Sequence, residues 1–344
     1  MLTSILRAMG NDLAIDLGTA NTLVYIKDKG IVLREPSVVA MTKNGAAYGR
    51  VHSVGVEAKE MLGRTPDNVV AIRPIRDGVI ANFEITKEML RQFIAKVKRD
   101  HMVIRPRIVI AVPAGLNDVE RRAVKESVLL AGASEVFLIE EAVAAAIGAG
   151  YDITSPAATM VVDIGGGTTE VAVLSCSGVI YSRSTRVGGD AMDEAIIQYV
   201  RRTYHLLIGE RTAERVKIDI GTAYPDGEMR AVEIRGRDLL ADAPKILEIK
   251  SEEVRAALAE PVNAIVDRVK LALEGISPET SADIAENGIL LVGGGALVTN
   301  LDRLLQSATK LPVRLADDPL TTVALGAGRC LEDAVLRERL AMRL

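Results

Sequence analysis

The sequence predicts an α/β protein built from two related domains. Three observations carry that expectation. First, the stretch AIDLGTANTLVYIKDKGIV beginning at Ala14 recurs in outline as VVDIGGGTTEVAVLSCSGVI beginning at Val161, with Asp16 matching Asp163, Gly18 matching Gly165 and Thr22 matching Thr169. Second, apolar strand-like runs alternate with helix-period segments through both halves. Third, the 344 residues are 49% apolar but only 3% aromatic, without Trp, so the core must be aliphatic, as in Val/Ile-rich sheets.

Each repeat reads as a strand, a tight turn of small residues and a second strand. Strands follow at Ile31–Leu33 and Ser37–Ala40, and a helix runs from Thr86 to about Arg99. Arg107–Pro113 is a buried strand stopped by proline. A helix then opens at the cap Asn117, with Glu120 completing a capping box, and closes at Gly132. A short strand leads into an Ala-rich helix starting near Glu141. In the second half the hairpin pair covers Met160–Ser184, followed by helices from about Asp190 to Tyr204 and from Thr212. The polar span Tyr224–Lys250 reads as a small sheet-bearing lobe, and a long helix runs from Ser251 to about Leu273. A buried strand, three glycines and a helix come next, then a last helix from Thr321 into the Arg/Glu-rich end.

Composition excludes several functions. A net charge of -4 argues against a general nucleic-acid surface. Cys176 and Cys330 lie far apart without metal-ligand spacing, which fits a reduced cytoplasmic setting. His52, His101 and His205 are scattered and form no metal or triad pattern. No run is long and apolar enough to span a bilayer, and the N-terminus lacks a secretory pattern.

The chemistry lies in the hairpins. A small-residue turn between strands presents converging N–H groups to an anion. The Asp ending each first strand cannot face phosphate bare, because like charges repel. A cation between them resolves this, and Mg²⁺ takes one or two carboxylates plus phosphate oxygens. Two hairpins with one Asp each therefore point to one Mg-nucleotide held by two halves. VGGGAL at Val292–Leu297 permits close approach of a base or ribose; it is neither a Walker loop nor a dinucleotide fingerprint. Glu214 and Lys217 share a helix face, as a surface ion pair or as nucleotide contacts. Glu140 and Glu141 begin a helix, as a cap or as groups that orient water.

Taken in order, these motifs resemble the superfamily of actins, heat-shock chaperones and sugar kinases. EAKEMLGRTP, AIRPIRDGVIA, VVDIGGGTTEVAVLS, LIGERTAERVK and ADDPLTTVALGAG narrow the resemblance to the MreB family of bacterial actins, from about Asn11 to about Glu332. The resemblance implies an actin-like ATPase fold of two related domains, each a mixed sheet flanked by helices. It implies four subdomains and a nucleotide in the interdomain cleft, whose binding would close the domains. Residues 11–145 with 315–344 would form domain I, with a small subdomain at about 33–65. Residues 146–314 would form domain II, with a small subdomain at about 182–244.

The resemblance also assigns residues. Gly18, Thr19, Ala20 and Asn21 would be the first phosphate loop, and Gly165, Gly166, Gly167 and Thr168 the second. Asp16 and Asp163 would hold Mg²⁺, through water. Glu141 would position the attacking water, with Thr168 beside it in catalysis. Glu214, Arg215, Val216 and Lys217 would face ribose and adenine, and Gly294, Gly295, Ala296 and Leu297 would line the nucleotide. There are departures. The family's Pro-Met after Glu141 is Ala142-Val143 here, which loosens the helix start and bears on hydrolysis, and Asn82 replaces an acid.

The family's implied role is a cytoskeletal ATPase with ATP and Mg²⁺ as cofactors, forming head-to-tail filaments, with paired protofilaments, at the inner face of the cell membrane. Such filaments direct rod shape and wall elongation with the cell-elongation machinery and membrane proteins. Two segments offer membrane contact. Residues 1–10 form an amphipathic segment with Leu2, Ile5, Leu6 and Met9 on one face, and Met102, Val103 and Ile104 form an apolar tip among basic residues. The helix from Asn117 to Leu130, Val128 included, offers a lateral filament surface. The alternative is a small-molecule kinase, for which no supported catalytic base is evident. A peptide-binding chaperone is not expected, since a substrate domain would have to follow the last helix.

Overall fold

A computed structural model describes residues 12–44, 47–97, 105–225 and 227–340. The expected membrane residues Leu2, Ile5, Leu6, Met9, Met102, Val103 and Ile104 lie outside the described residues. The chain divides into two compact units, one of Met1–Ser155, Ser175–Val179 and Leu320–Leu344, the other of Pro156–Leu174 and Ile180–Pro319.

The first unit carries strands β1 (Leu13–Leu17), β2 (Asn21–Ile26), β3 (Gly30–Pro36), β4 (Val39–Asn44), β5 (Ala47–Val54) and β6 (Val69–Ile72). The short β7 (Ile75–Arg76) and β8 (Val79–Ile80) precede β9 (Arg107–Val112) and β10 (Glu135–Glu140). Its main sheet has the order β10-β9-β1-β2-β3. It is mixed: β1 pairs antiparallel with β2 but parallel with β9, and β9 is parallel to β10. Alternation along the strands sends Leu13, Ile15, Ile108, Ile110 and Leu138 to one face, where they pack with Phe93 of the helix Phe83–Val97 and Val124 of the helix Asp118–Leu130. β4, β5 and β6 form a smaller sheet beneath the helix Val56–Glu60.

The helix Phe83–Val97 begins three residues before Thr86. Asn82 explains the earlier start. Its side chain accepts from the Ile85 amide at 3.1 Å, and its carbonyl accepts from Thr86. Asparagine caps a helix as well as aspartate does, so the loss of the acid here leaves the cap intact. The capping box at Asn117 and Glu120 forms as expected. Val128, expected on a lateral surface, is instead fully buried in the core; the apolar residues that this helix exposes are Val119 and Leu130. Its burial follows from the helical period, which puts Val124 and Val128 one turn apart on the inner face.

The second unit carries β11 (Thr159–Ile164), β12 (Thr169–Ser175), β13 (Gly178–Thr185), β14 (Leu206–Leu207), β15 (Ala231–Asp238), β16 (Pro244–Lys250), β17 (Ile289–Val292) and β18 (Val313–Leu315). Its main sheet runs β13-β12-β11-β17-β18, again with an antiparallel hairpin beside parallel strands. β15 and β16 lie in the polar span expected to bear a small sheet, and β14, which precedes that span, joins them as a third strand. The helix read as opening at Thr212 spans Glu210–Ile220, because the Gly209 carbonyl already accepts from Thr212 and Ala213. The single C-terminal helix is two, Thr322–Glu332 and Ala334–Leu340. Asp333 leaves the helical conformation, and its carboxylate accepts from Val335 and Leu336 to cap the second.

In the first unit the helices Glu141–Gly148 and Thr322–Glu332 cross at two glycines. A Cβ on Gly148 would lie 1.9 Å from the Thr322 carbonyl oxygen, and one on Gly326 would lie 1.7 Å from that of Ala144. Backbone meets backbone, so neither helix can yield locally. Gly326→Ala is expected to cost about 3 kcal/mol through overpacking, read as a fall in the urea midpoint. Gly115→Ala, whose Cβ meets nothing within 4 Å, is the control and leaves the midpoint unchanged.

Candidate nucleotide-binding site

The two hairpin turns are built alike. In the first unit the Gly18 amide donates to the Asn21 carbonyl at 3.1 Å; in the second the Gly165 amide donates to Thr168 at 2.8 Å. These bonds tie each turn across its base. The matched threonines are struts. Thr22 is fully buried, and its hydroxyl lies 2.9 Å from that of Ser37, which donates to the Gly18 carbonyl at 2.7 Å. Thr169, also fully buried, donates to the Val187 carbonyl at 2.7 Å.

The second loop is braced from behind by a helix start. The Gly189 amide donates to the Gly165 carbonyl at 3.0 Å and the Asp190 amide to Gly166 at 2.7 Å. A Cβ on Gly188 would lie 2.7 Å from both loop carbonyls and 2.9 Å from the Thr168 nitrogen, so only glycine admits this approach. The loop carbonyls are thereby turned inward. Among the described residues the amides of Gly166, Gly167 and Thr168 have no hydrogen-bond partner, nor have those of Thr19 and Ala20. Unpaired, co-located N–H groups are what an anion site requires.

The carboxylates sit at strand ends. Asp16 lies next to the end of β1, on the sheet face opposite Ile15 and Leu17, and burial pushes its carboxyl up to about 7. Among the described residues no cation offsets that cost. Glu140 ends β10, at the same end of the sheet because β1 and β10 both run parallel to β9. Glu141 is the first residue of the helix that follows. Burial raises the Glu140 carboxyl, Arg121 draws it partly back, and its Oε2 has no hydrogen-bond partner. In the second unit, buried Asp163 lies near the end of β11, paired in register with Val292 of β17. No cluster of three metal-ligating side chains occurs among the described residues. A divalent ion here would have to complete its shell with phosphate and water, which is how Mg²⁺ is usually held.

VGGGAL becomes a short 3₁₀ turn, Gly294–Leu297, after β17. Gly293 has φ +83°, and a Cβ there would lie 2.3 Å from Asp163 Oδ1; one on Gly295 would strike Ile164. The glycines are thus needed for packing against β11 as well as for any ligand. Ala296 is buried and Leu297 is exposed. Lys217 does not form a simple surface pair with Glu214. Its ammonium bonds the Gly189 carbonyl at 2.8 Å and pairs with buried Asp193 at 2.8 Å. It therefore sits at the helix start that braces the second loop. Glu214 contributes to the negative field around Asp193. Arg215 turns to the Glu233 carbonyl of β15, and Val216 is fully buried in the core.

The second unit therefore gathers the loop Gly165–Thr168, Asp163, Lys217 and Gly293–Gly295. The first gathers Asp16, the loop Gly18–Asn21 and Glu141. Sequence reasoning passed over Ser37, Gly188, Gly189 and Asp193. VGGD at Val187–Asp190 was a signal for two of them, Gly188 and Gly189, since paired glycines before a helix mark close backbone approach.

Burial raises Asp193 to about 6 from 3.8, although Lys217 opposes the shift. The folded chain therefore takes up this proton before the unfolded chain does. The resulting contribution to stability is fully present below about pH 4 and is lost as pH rises through about 6. Chemical denaturation across that window should show Asp193→Asn flattening the decline by about 2 kcal/mol. An unchanged slope would mean that Asp193 is not desolvated.

The MreB/Mbl protein family profile matches residues 10–339. Over 334 residues, 96% of each chain, the sequence is 55% identical to the cell shape-determining protein MreB of Escherichia coli strain K12. It is 48% identical over 322 residues to the cell shape-determining protein Mbl of Bacillus subtilis strain 168, covering 94% of this chain and 96% of Mbl. The crystal structure of MreB5 of Spiroplasma citri bound to AMPPNP matches with a TM-score of 0.89 at 36% identity, covering 94% of this chain and 96% of that one. MamK, solved as a double helical filament, shares the fold with a TM-score of 0.79 at 22% identity, covering 94% of this chain and 99% of MamK.

Proposed function

The chain belongs to the MreB/Mbl family and has the actin-like fold, and from that premise we propose that it is an ATP-dependent, filament-forming cytoskeletal protein that directs cell shape and wall elongation. The observation that carries the nucleotide reading is the unpaired amides of Gly166, Gly167 and Thr168, held outward by the Gly188–Asp190 helix start. A relative at 36% identity was solved with AMPPNP, which agrees with a triphosphate in these loops.

In this reading the two loops bind the phosphates through backbone N–H groups, and Lys217 keeps the second loop's brace in place. Mg²⁺ would neutralise phosphate charge, with Asp16 and Asp163 as its holders through water. The desolvated Asp16 carboxyl, lacking a cation, fits that role. Glu141 orients the attacking water at the end of β10, and Thr168 supplies a hydroxyl beside the phosphates. Most of the catalysis is then positioning and charge stabilisation, which suits a weak ATPase.

Self-association would be head-to-tail, because only heterologous contacts generate open filaments. MamK, of the same fold, was solved as a double helical filament. Attachment to the inner membrane face would use residues 1–10 and Met102–Ile104, each weak alone and multiplied along a polymer. The cell-elongation machinery and its membrane proteins would be the partners, and the cytoplasm the compartment.

Electron microscopy of the full chain with Mg-ATP and vesicles containing phosphatidylglycerol tests this reading. Nucleotide-dependent paired filaments lying on lipid are expected; monodisperse particles under every condition would overturn it. Glu141→Gln should lower phosphate release by about 100-fold while filaments still form with ATP. Equal loss of assembly and hydrolysis would show that Glu141 acts in binding rather than in water positioning.

A further inference from the structure

A surface cavity of about 510 Å³ opens beside the edge strand β3 in the first unit. Three cations line it, Lys29, Arg34 and Lys96, against one carboxylate, Glu35. Both oxygens of Glu35 are already committed. One accepts from Lys96 at 2.8 Å and the other from the Val56 amide at 2.8 Å. The side chains of Lys29 and Arg34 have no hydrogen-bond or ion-pair partner among the described residues, and both are exposed. The cavity is thus locally cationic in a chain whose net charge is -4.

Its walls are apolar as well as cationic. Val32, at the β-bulge in the β2–β3 pairing, is 39% exposed, and Val97 closes the helix on the other side. The chain leaves Val97 directly into Lys98–Ile104, the segment whose sequence places two further cations before an apolar tip. A small free anion needs no apolar wall. A phosphodiester carried at the top of acyl chains uses both features, its phosphate on the cations and its glycerol carbons on the valines.

We propose that this cavity seats the phosphate of an anionic phospholipid headgroup, with Lys29 and Arg34 as its direct partners and the Glu35–Lys96 pair as its fixed wall. The inference rests on the membrane reading of Met102–Ile104 and adds a headgroup preference to it. Apolar insertion alone would not distinguish lipid charge.

Vesicle flotation of the full chain tests it, with vesicles of phosphatidylcholine alone and of phosphatidylcholine mixed equally with phosphatidylglycerol. Wild type is expected to prefer the anionic vesicles. Lys29→Ala with Arg34→Ala should lose about fivefold in affinity per residue on anionic vesicles and nothing on neutral ones, with Mg-ATP filaments in solution intact. Met102→Ser with Val103→Ser should weaken binding to both. Retention of the full anionic preference by the Lys29/Arg34 variant would overturn the headgroup site while leaving the membrane reading standing. Wild type binding neither vesicle would remove both. Saturable binding of inorganic phosphate to wild type in solution, lost in the Lys29/Arg34 variant while its anionic-vesicle preference is unchanged, would assign the cavity to a free anion and overturn the lipid assignment.

Discussion

The site depends on one contact, the approach of the Gly188–Gly189 backbone to the loop Gly165–Thr168. A polyanion can be bound without a lysine in the loop only if amides converge and stay unpaired. That demands that the loop's carbonyls be occupied elsewhere. Here they accept from the amides of Gly189 and Asp190, which are orphan donors of a helix N-terminus in any case. Two sets of unsatisfied groups thus resolve one another, and the amides left over face outward. The dipole of the helix adds partial positive charge behind the loop. The sheet, the flanking helices and the strut from Thr169 all serve to hold that approach at hydrogen-bond distance.

Desolvation is the recurring cost. Asp16 and Asp193 are each shifted upward by burial, and Glu140 in the same direction. Only Asp193 has a close ammonium, and Lys217 does not fully offset its burial. Glu140 keeps an unpartnered oxygen at the entry to the helix that carries Glu141. Carboxylates left in this state cluster where charge is to be supplied by something else. Asp16 and Glu140 lie near strand ends of the first unit's sheet, and Asp193 lies in the helix whose start braces the second loop.

Much of the frame was legible because its signals are local. The repeat around Asp16 and Asp163 announced both hairpins, Asn117 and Glu120 announced a cap, and the apolar run stopped by Pro113 announced β9. What escaped notice depends on distant partners. Lys217 was read against Glu214 three residues away, whereas its counter-ion, Asp193, is on another helix. Val128 looked like surface until helix packing placed it with Val124 inside. Val216 lies in a motif read as nucleotide-facing, yet the period of its helix turns it to the core. Asp333 breaks a helix that charge patterning alone would have continued, because its side chain captures the next two amides.

The departure at Ala142 shows how a local rule yields to packing. A proline there would stiffen the first turn, and its absence would leave Glu141 free to wander if the turn were held only by propensity. The helix still starts at Glu141, with the six residues after Glu141, Ala142 to Ile147, buried. Its far end is locked at Gly148 and Ala144, where the Thr322–Glu332 helix approaches so closely that a single methyl group does not fit, and Arg329 donates to the Ile147 carbonyl. A helix of eight residues clamped at one end and buried along its length has little freedom at the other. The position of Glu141 at the start of its helix is therefore set from the helix's C-terminal side, by Gly148 within the helix and by Gly326 and Arg329, distant in sequence.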